Sequence, residues 1–245
     1  GTNWVKKGDV YGASSFANVV HFFDENNGFA QGDPLDGYFE LYTTTDGGET
    51  WTRVPEANIA APVAGEYGIT GNYDAKGNSI WFGTNKGRVY YSSDKGLNWA
   101  ATATPFGDGE TVQIKFKDEQ NGVAFRSFLD LGIEEKLNVT TDGGATWTEL
   151  IVTGDMYARY FSFIPGTDVL VGSAAKDDAM GIAYSEDMGA NWTTISTEAP
   201  FLGQAWFDQT TGIVGTWATA NGGGILLYDG FPIGSTNLDP PVNLN

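Results

Sequence analysis

TTDGGETW at 44–51, SSDKGLNW at 92–99, TTDGGATW at 140–147 and SEDMGANW at 185–192 are four copies of one phrase, Ser/Thr-x-Asp-x-Gly-x-x-Trp. Their closing tryptophans, Trp51, Trp99, Trp147 and Trp192, stand 48, 48 and 45 residues apart. The residue types describe a tight turn. A short Asp side chain accepts hydrogen bonds from the backbone of its own turn, Gly supplies a positive φ, and Trp packs a large apolar surface beneath. Ser or Thr two residues before the Asp offers a second local hydrogen bond. Asp46, Asp94, Asp142 and Asp187 are therefore expected to hold hairpins together, and none is a catalytic candidate.

A period in the mid-forties is that of four-stranded propeller blades. A second element recurs with it: FFDENNGFA at 22–30, FKDEQNGVA at 116–124 and the looser WFDQTTGIVG at 206–215. Each is an apolar strand, a polar turn ending in Gly and another apolar strand, which is hairpin chemistry. YDAKGNSIWFGT at 73–84 and FIPGTDVLVGS at 163–173 keep that shape with other letters. Blades are expected at about 18–54, 66–104, 111–152 and 159–197, with a fifth starting near Gln204 and running through GILLYDG at 224–230.

The phrase resembles the Asp-box, or BNR repeat, of sialidases, sortilin-type receptors and photosystem assembly propellers. The resemblance implies an all-β fold, a propeller of four-stranded antiparallel blades with the box closing the hairpin between the third and fourth strands. The fifth blade breaks off after Asp229-Gly230. Read circularly into Gly1-Thr2-Asn3-Trp4, it completes D-G-G-T-N-W, so Asp229 and Trp4 form a fifth box and the N-terminal strand closes a five-bladed ring. The alternative is a fragment of a six- or seven-bladed propeller. One domain is expected over 1–231, followed by a polar tail or linker over 232–245 that carries Pro240-Pro241.

The chain has 245 residues, with 13 Lys and Arg against 31 Asp and Glu, a formal charge of −18. That balance opposes phosphate backbones and anionic lipid, so nucleic acid is not an expected partner. No stretch nears the roughly 18 apolar residues of a membrane span, so membrane insertion is not expected either. The absence of cysteine excludes disulfides, thiolate metal sites and a Cys nucleophile. With a single histidine, His21, the usual zinc constellations are missing too, and no cofactor or metal is expected. Acidic loops such as LDLGIEE at 129–135 offer calcium-type oxygen ligands without an EF-hand pattern.

The resemblance places ligand loops on the second turns of the blades and on the crossings between them, away from the boxes. Sialidase chemistry needs three arginines on the substrate carboxylate, and this chain has four in all, with Arg53 and Arg88 in strand contexts. Other glycoside hydrolases need two facing carboxylates. Asp33, Asp36, Glu66, Asp130, Glu134, Asp155, Asp177 and Asp178 are available, and no spacing singles out a pair. Binding is the expected function, with Tyr67, Arg126, Tyr157, Arg159 and Trp217 as candidate ligand contacts, since aromatic and guanidinium groups suit a peptide or glycan. The expectation is a non-catalytic, secreted or bacterial cell-surface module for protein or glycan ligands, or part of a larger surface polypeptide. The alternatives are an extracellular carbohydrate-active enzyme using two loop carboxylates and a structural domain of a larger surface protein.

Overall fold

The computed structural model describes residues 3, 5, 10–126, 136–176, 179–219, 222–230 and 232–234. It consists of five antiparallel sheets, each a meander in chain order. The first sheet holds β1 (Ala17–Phe22), β2 (Gly28–Leu35), β3 (Tyr38–Thr44) and β4 (Thr52–Arg53); the second holds β5 (Gly68–Lys76), β6 (Ser79–Thr84), β7 (Arg88–Ser92) and β8 (Ala100–Ala103). The third comprises β9 (Val112–Phe116), β10 (Gly122–Arg126), β11 (Leu137–Thr140) and β12 (Thr148–Leu150). The fourth comprises β13 (Tyr160–Phe163), β14 (Leu170–Lys176), β15 (Ala179–Ser185) and β16 (Thr193–Ser196). The fifth has three strands among the described residues, β17 (Phe201–Trp206), β18 (Thr211–Thr219) and β19 (Gly222–Asp229). These ranges match the five expected blades. No helix among the described residues is long and apolar enough to cross a membrane.

The four complete boxes share one geometry. Thr44 Oγ1 donates to Asp46 Oδ1 at 2.8 Å and accepts from Gly48 N at 3.0 Å, while Thr50 gives its N–H to Oδ1 and its hydroxyl to Oδ2. Ser92, Asp94 and Asn98 repeat this, as do Thr140, Asp142 and Thr146, and Ser185, Asp187 and Asn191. The position before each Trp is therefore a donor, Thr or Asn, rather than a free choice. The residue after each Asp is left-handed even where it is not Gly, with φ of 59° at Lys95 and 60° at Met188. Three side-chain and backbone hydrogen bonds onto one carboxylate offset that strain.

The expected fifth box is not completed among the described residues. Thr44 pairs with Gly28 in the first sheet, and its counterpart in the fifth is Tyr228, paired with Gly212. The box Asp lies two residues further on, where the fifth sheet has Gly230. Asp229 pairs with Thr211, one residue short of that position. Trp4 lies outside the described residues.

Contacts divide the chain into two compact units, Gly1–Arg126 with Thr140–Thr148, and Ser127–Val139 with Glu149–Asn245. In the first unit, Phe29, Phe39 and Leu41 of the first sheet pack on Ile80, Phe82 and Tyr90 of the second. Trp81 and Val89, on the other face of the second sheet, pack on Val112, Ile114 and Phe116 of the third. The Trp81 and Phe116 rings stack 3.7 Å apart between centroids, at 8°. In the second unit, Val171 and Ile182 of the fourth sheet pack on Trp206, Val214 and Tyr228 of the fifth. Each fully buried side chain of this size contributes about 1.5–3 kcal/mol.

Strand composition follows from these neighbours. β6, SIWFGT, is buried at every residue because both of its faces meet another sheet, and its centre, Ile80-Trp81-Phe82, is apolar on both parities. β9, VQIKF, alternates buried and half-buried residues with period two. Close approach is secured at Gly96, where a Cβ would stand 2.8 Å from the Phe29 ring.

Candidate functional site

The loops named from the sequence fall into three groups. Leu129–Glu135, with Asp130 and Glu134, lies outside the described residues, as do Asp177 and Asp178. A second group is committed to holding the fold. Glu66 is buried and accepts from Val63 N at 2.9 Å, Thr84 Oγ1 at 2.7 Å and Arg88 Nη1 at 2.6 Å, with the Tyr90 hydroxyl at 3.4 Å. This node ties the crossing from the first sheet to β6 and β7 of the second. Burial and the Glu66 charge together push the Tyr90 phenol far above its ordinary value. Asp33 Oδ1 accepts from Asn18 Nδ2 at 2.7 Å and Gly68 N at 3.0 Å, and Thr70 Oγ1 donates to Asn18 Oδ1 at 3.1 Å.

The third group reaches solvent. Asp36 is exposed, 3.7 Å from Arg53, whose guanidinium lies over the Tyr38 ring at 4.1 Å. Tyr67 is exposed beside Glu66, its N–H fixed by Asn85 Oδ1 at 2.8 Å. Arg126 ends β10 and meets Glu110 at 3.4 Å. Tyr157 and Arg159 are joined by a 2.8 Å backbone hydrogen bond, yet their side chains part company. Tyr157 is buried with φ of 47°, its ring over the bare backbone of Gly181, whereas the half-buried Arg159 lies 5.9 Å from the Tyr160 ring. His21 is half-buried, edge-on to Phe23 and Tyr73; burial lowers its pKa and Asp74 opposes that shift.

Trp217 belongs to a larger feature. Along β18 and β19 one face of the fifth sheet is bare: Ile213 is 48% exposed, Trp217 58%, Ile225 78% and Leu227 55%. Ile213 pairs with Leu227 and Gly215 with Ile225, so Ile213, Ile225 and Leu227 stand on one side of the ladder, with Trp217 just beyond, where the register breaks. The opposite side carries Val214, Leu226 and Tyr228 and is packed on the fourth sheet. Sequence reasoning found only Trp217 of this group. The signal was present in GILLYDG, which is apolar on both parities, as expected of a strand with a partner on each face.

Chemically, such a face is a desolvation surface, edged by the exposed Asp229, which pairs with Thr211 on the same parity as Ile213 and Leu227. Contiguous exposed apolar groups of this kind mark interaction sites.

Structural comparison finds the same fold in proteins of low sequence identity. YCF48 bound to D1 peptide aligns with a TM-score of 0.56 and 16% identity over 87% of this chain and 63% of that chain. YCF48 from Cyanidioschyzon merolae gives 0.56 and 15% over 94% and 71%. The Niastella koreensis GH74 enzyme gives 0.57 and 17% over 86% of this chain and 36% of that one. The chain thus spans less than two thirds of the first of these structures and about a third of the GH74 enzyme. No curated protein sequence matches it. These likenesses establish a β-propeller fold, and the five sheets are five blades, the fifth with three strands among the described residues. Residues 39–163, slightly more than half of the sequence, match the profile described as Sortilin, neurotensin receptor 3, and the chain belongs to the Sortilin-Vps10 family.

Proposed function

We propose that this protein is a non-catalytic binding module, secreted or displayed on a cell surface, that takes a protein ligand on the bare face of its fifth sheet. The observation that carries the reading is that face: Ile213, Trp217, Ile225 and Leu227 present contiguous apolar surface to solvent. An interface core is depleted in charge and enriched in aromatic and aliphatic anchors, and this patch has that composition within a chain of charge −18. The structurally similar YCF48 holds a peptide, which favours a protein ligand over a glycan. Kinship with sortilin supports an extracellular setting.

The described loop carboxylates support binding over hydrolysis. Glu66 and Asp33 are engaged by backbone and side-chain donors, as shown above, and Asp36 faces Arg53. A photo-reactive residue in place of Ile225 is expected to give a discrete protein adduct in extracts of the source cell surface, lost on Leu227→Asp. Release of sugar from a polysaccharide panel, abolished by Asp36→Asn or Asp155→Asn, would contradict the reading.

A further inference from the structure

The crossings into the second and fourth sheets meet their boxes in one way and differ in the room they leave. In the second sheet Trp99 N donates to Asn58 O at 2.7 Å, and Ala60 N to Trp99 O at 3.0 Å. In the fourth, Trp192 N donates to Thr153 O at 2.9 Å, so Thr153 corresponds to Asn58. The next residue is Ile59 in one and Gly154 in the other, and at Gly154 a Cβ would stand 2.6 Å from the Trp192 carbonyl oxygen. The fourth-sheet crossing thus lies flush on its box. The second-sheet crossing enters through a 3-10 turn, Glu56–Asn58, and between it and the box at 92–99 runs an open groove of about 500 Å³. That volume lies within the span of small-molecule sites, about 300–1,000 Å³.

The lining restricts what can occupy this groove. Buried Ile59 and Trp99 give it an apolar wall. Asn58 commits its Nδ2 to Leu97 O at 3.2 Å and Asn98 its Nδ2 to Asp94 Oδ2 at 2.7 Å, which leaves both amide oxygens to accept. The exposed Ser93 adds a hydroxyl. Asp94 is the one carboxylate in the lining among the described residues, and it already accepts from Ser92 Oγ, Leu97 N, Asn98 N and Asn98 Nδ2. Among the described residues no lysine or arginine lines the groove. Nothing there pairs with a charged ligand, and a chain of charge −18 repels anions. Amide acceptors and a hydroxyl beside apolar carbon suit a molecule with many O–H donors and an apolar C–H face, which is a neutral sugar. We infer that this groove is a second binding site, which takes a short uncharged oligosaccharide. Asn58, Asn98 and Ser93 hold its hydroxyls, and its C–H face lies toward Ile59 and Trp99. The site shares no residue with the fifth-sheet face and is independent of the reading of that face.

Nuclear magnetic resonance titration of the full chain with maltotetraose, cellotetraose and mannotetraose tests this. At least one of these sugars is expected to shift, saturably, the side-chain amide signals of Asn58 and Asn98 and backbone signals within 57–60 and 91–100. Ala57→Trp puts a ring into the groove at an exposed position and removes no bond of the fold, so it should abolish these shifts with the melting point unchanged. Ser93→Ala should weaken binding about fivefold, the worth of one hydrogen bond. Tetragalacturonate, of the same length but anionic, should not bind. Four results would overturn the inference. They are no shift at these amides with any of the neutral sugars; shifts that persist in Ala57→Trp, which place the sugar elsewhere; tetragalacturonate binding as tightly as a neutral sugar; and shifts at the same amides from an acetylated, amidated Gly-Ser-Gly-Ser peptide but from no sugar, which assign the groove to a peptide.

Discussion

The second and fifth sheets are built on one strand plan and differ in what lies against them. In the second, Ile80 and Phe82 face one neighbour and Trp81 and Val89 the other, and all four are buried. In the fifth, Val214 and Tyr228 are buried while Ile213, Ile225 and Leu227, on the opposite parity, stand in water. Apolar residues on both faces of a strand thus suit two contacts, and in the fifth sheet one of the two faces is exposed. The same composition that lines a core in the second sheet stands exposed on one face of the fifth.

The sharpest way to break this comparison is to truncate equivalent apolar residues in each. Phe82→Ala should cost about 3–5 kcal/mol in urea denaturation, because a cavity opens between two sheets. Next is the buried Glu66 node: Glu66→Ala should cost about 3 kcal/mol, since Arg88 is left largely buried without its partner. Asp36→Ala, which removes the exposed partner of Arg53, should lie within about 0.5 kcal/mol of wild type.

The boxes give a finer comparison. Trp99 Nε1 donates to Gly96 O at 2.8 Å and Trp192 Nε1 to Gly189 O at 2.8 Å. In the third sheet the corresponding Gly144 carbonyl is taken by Thr102 Oγ1 at 2.6 Å, and Trp147 Nε1 is buried without a protein partner. Trp99→Phe should therefore cost about 1 kcal/mol more than Trp147→Phe, the worth of one hydrogen bond. Equal costs would mean that the Trp99 bond contributes nothing.

Acid should act on the boxed sheets. Hydrogen bonds from Thr50 hold the Asp46 carboxyl down at about 2, and the other box aspartates are lowered as well. A depressed carboxyl contributes stability that is fully present above its unfolded pKa of about 4 and is lost as pH falls through the folded value. Stability should thus fall between about pH 4 and pH 2, and Asp142→Asn should flatten the decline. A midpoint unchanged over that window would show that the box hydrogen bonds do not favour the ionised form. The smallest effect is expected at Ile225→Ala, within about 0.5 kcal/mol, as for any exposed side chain. A cost near that of Phe82→Ala would mean the fifth face is covered.

Much of the architecture was legible because its turns are chemically demanding. Asp, Gly and Trp at fixed offsets leave few alternative backbones, so Asp46 to Asp187 located four hairpins directly. The donor before each Trp was visible in Thr50, Asn98, Thr146 and Asn191, but only the geometry at the carboxylate shows why the position is restricted. Asn3 before Trp4 has the same chemistry, while the ladder sets Asp229 one residue early, a slip that similarity between GILLYDG and GIAYSED conceals. The candidate site was less legible. Tyr157 looks like a loop aromatic until the absence of a side chain at Gly181 gives its ring a place to lie. Exposure of Ile225 and Leu227 could not be read from a pattern that is shared with buried strands, because it depends on which neighbour is present.

The proposed binding role requires the outer face of the fifth sheet, with Ile213, Ile225 and Leu227, to be open in the free protein. Hydroxyl-radical footprinting tests this directly. Trp217, Ile225 and Leu227 should label rapidly, while Trp81 and Phe82 stay protected. Protection of Trp217 and Ile225 in the free protein would contradict the account.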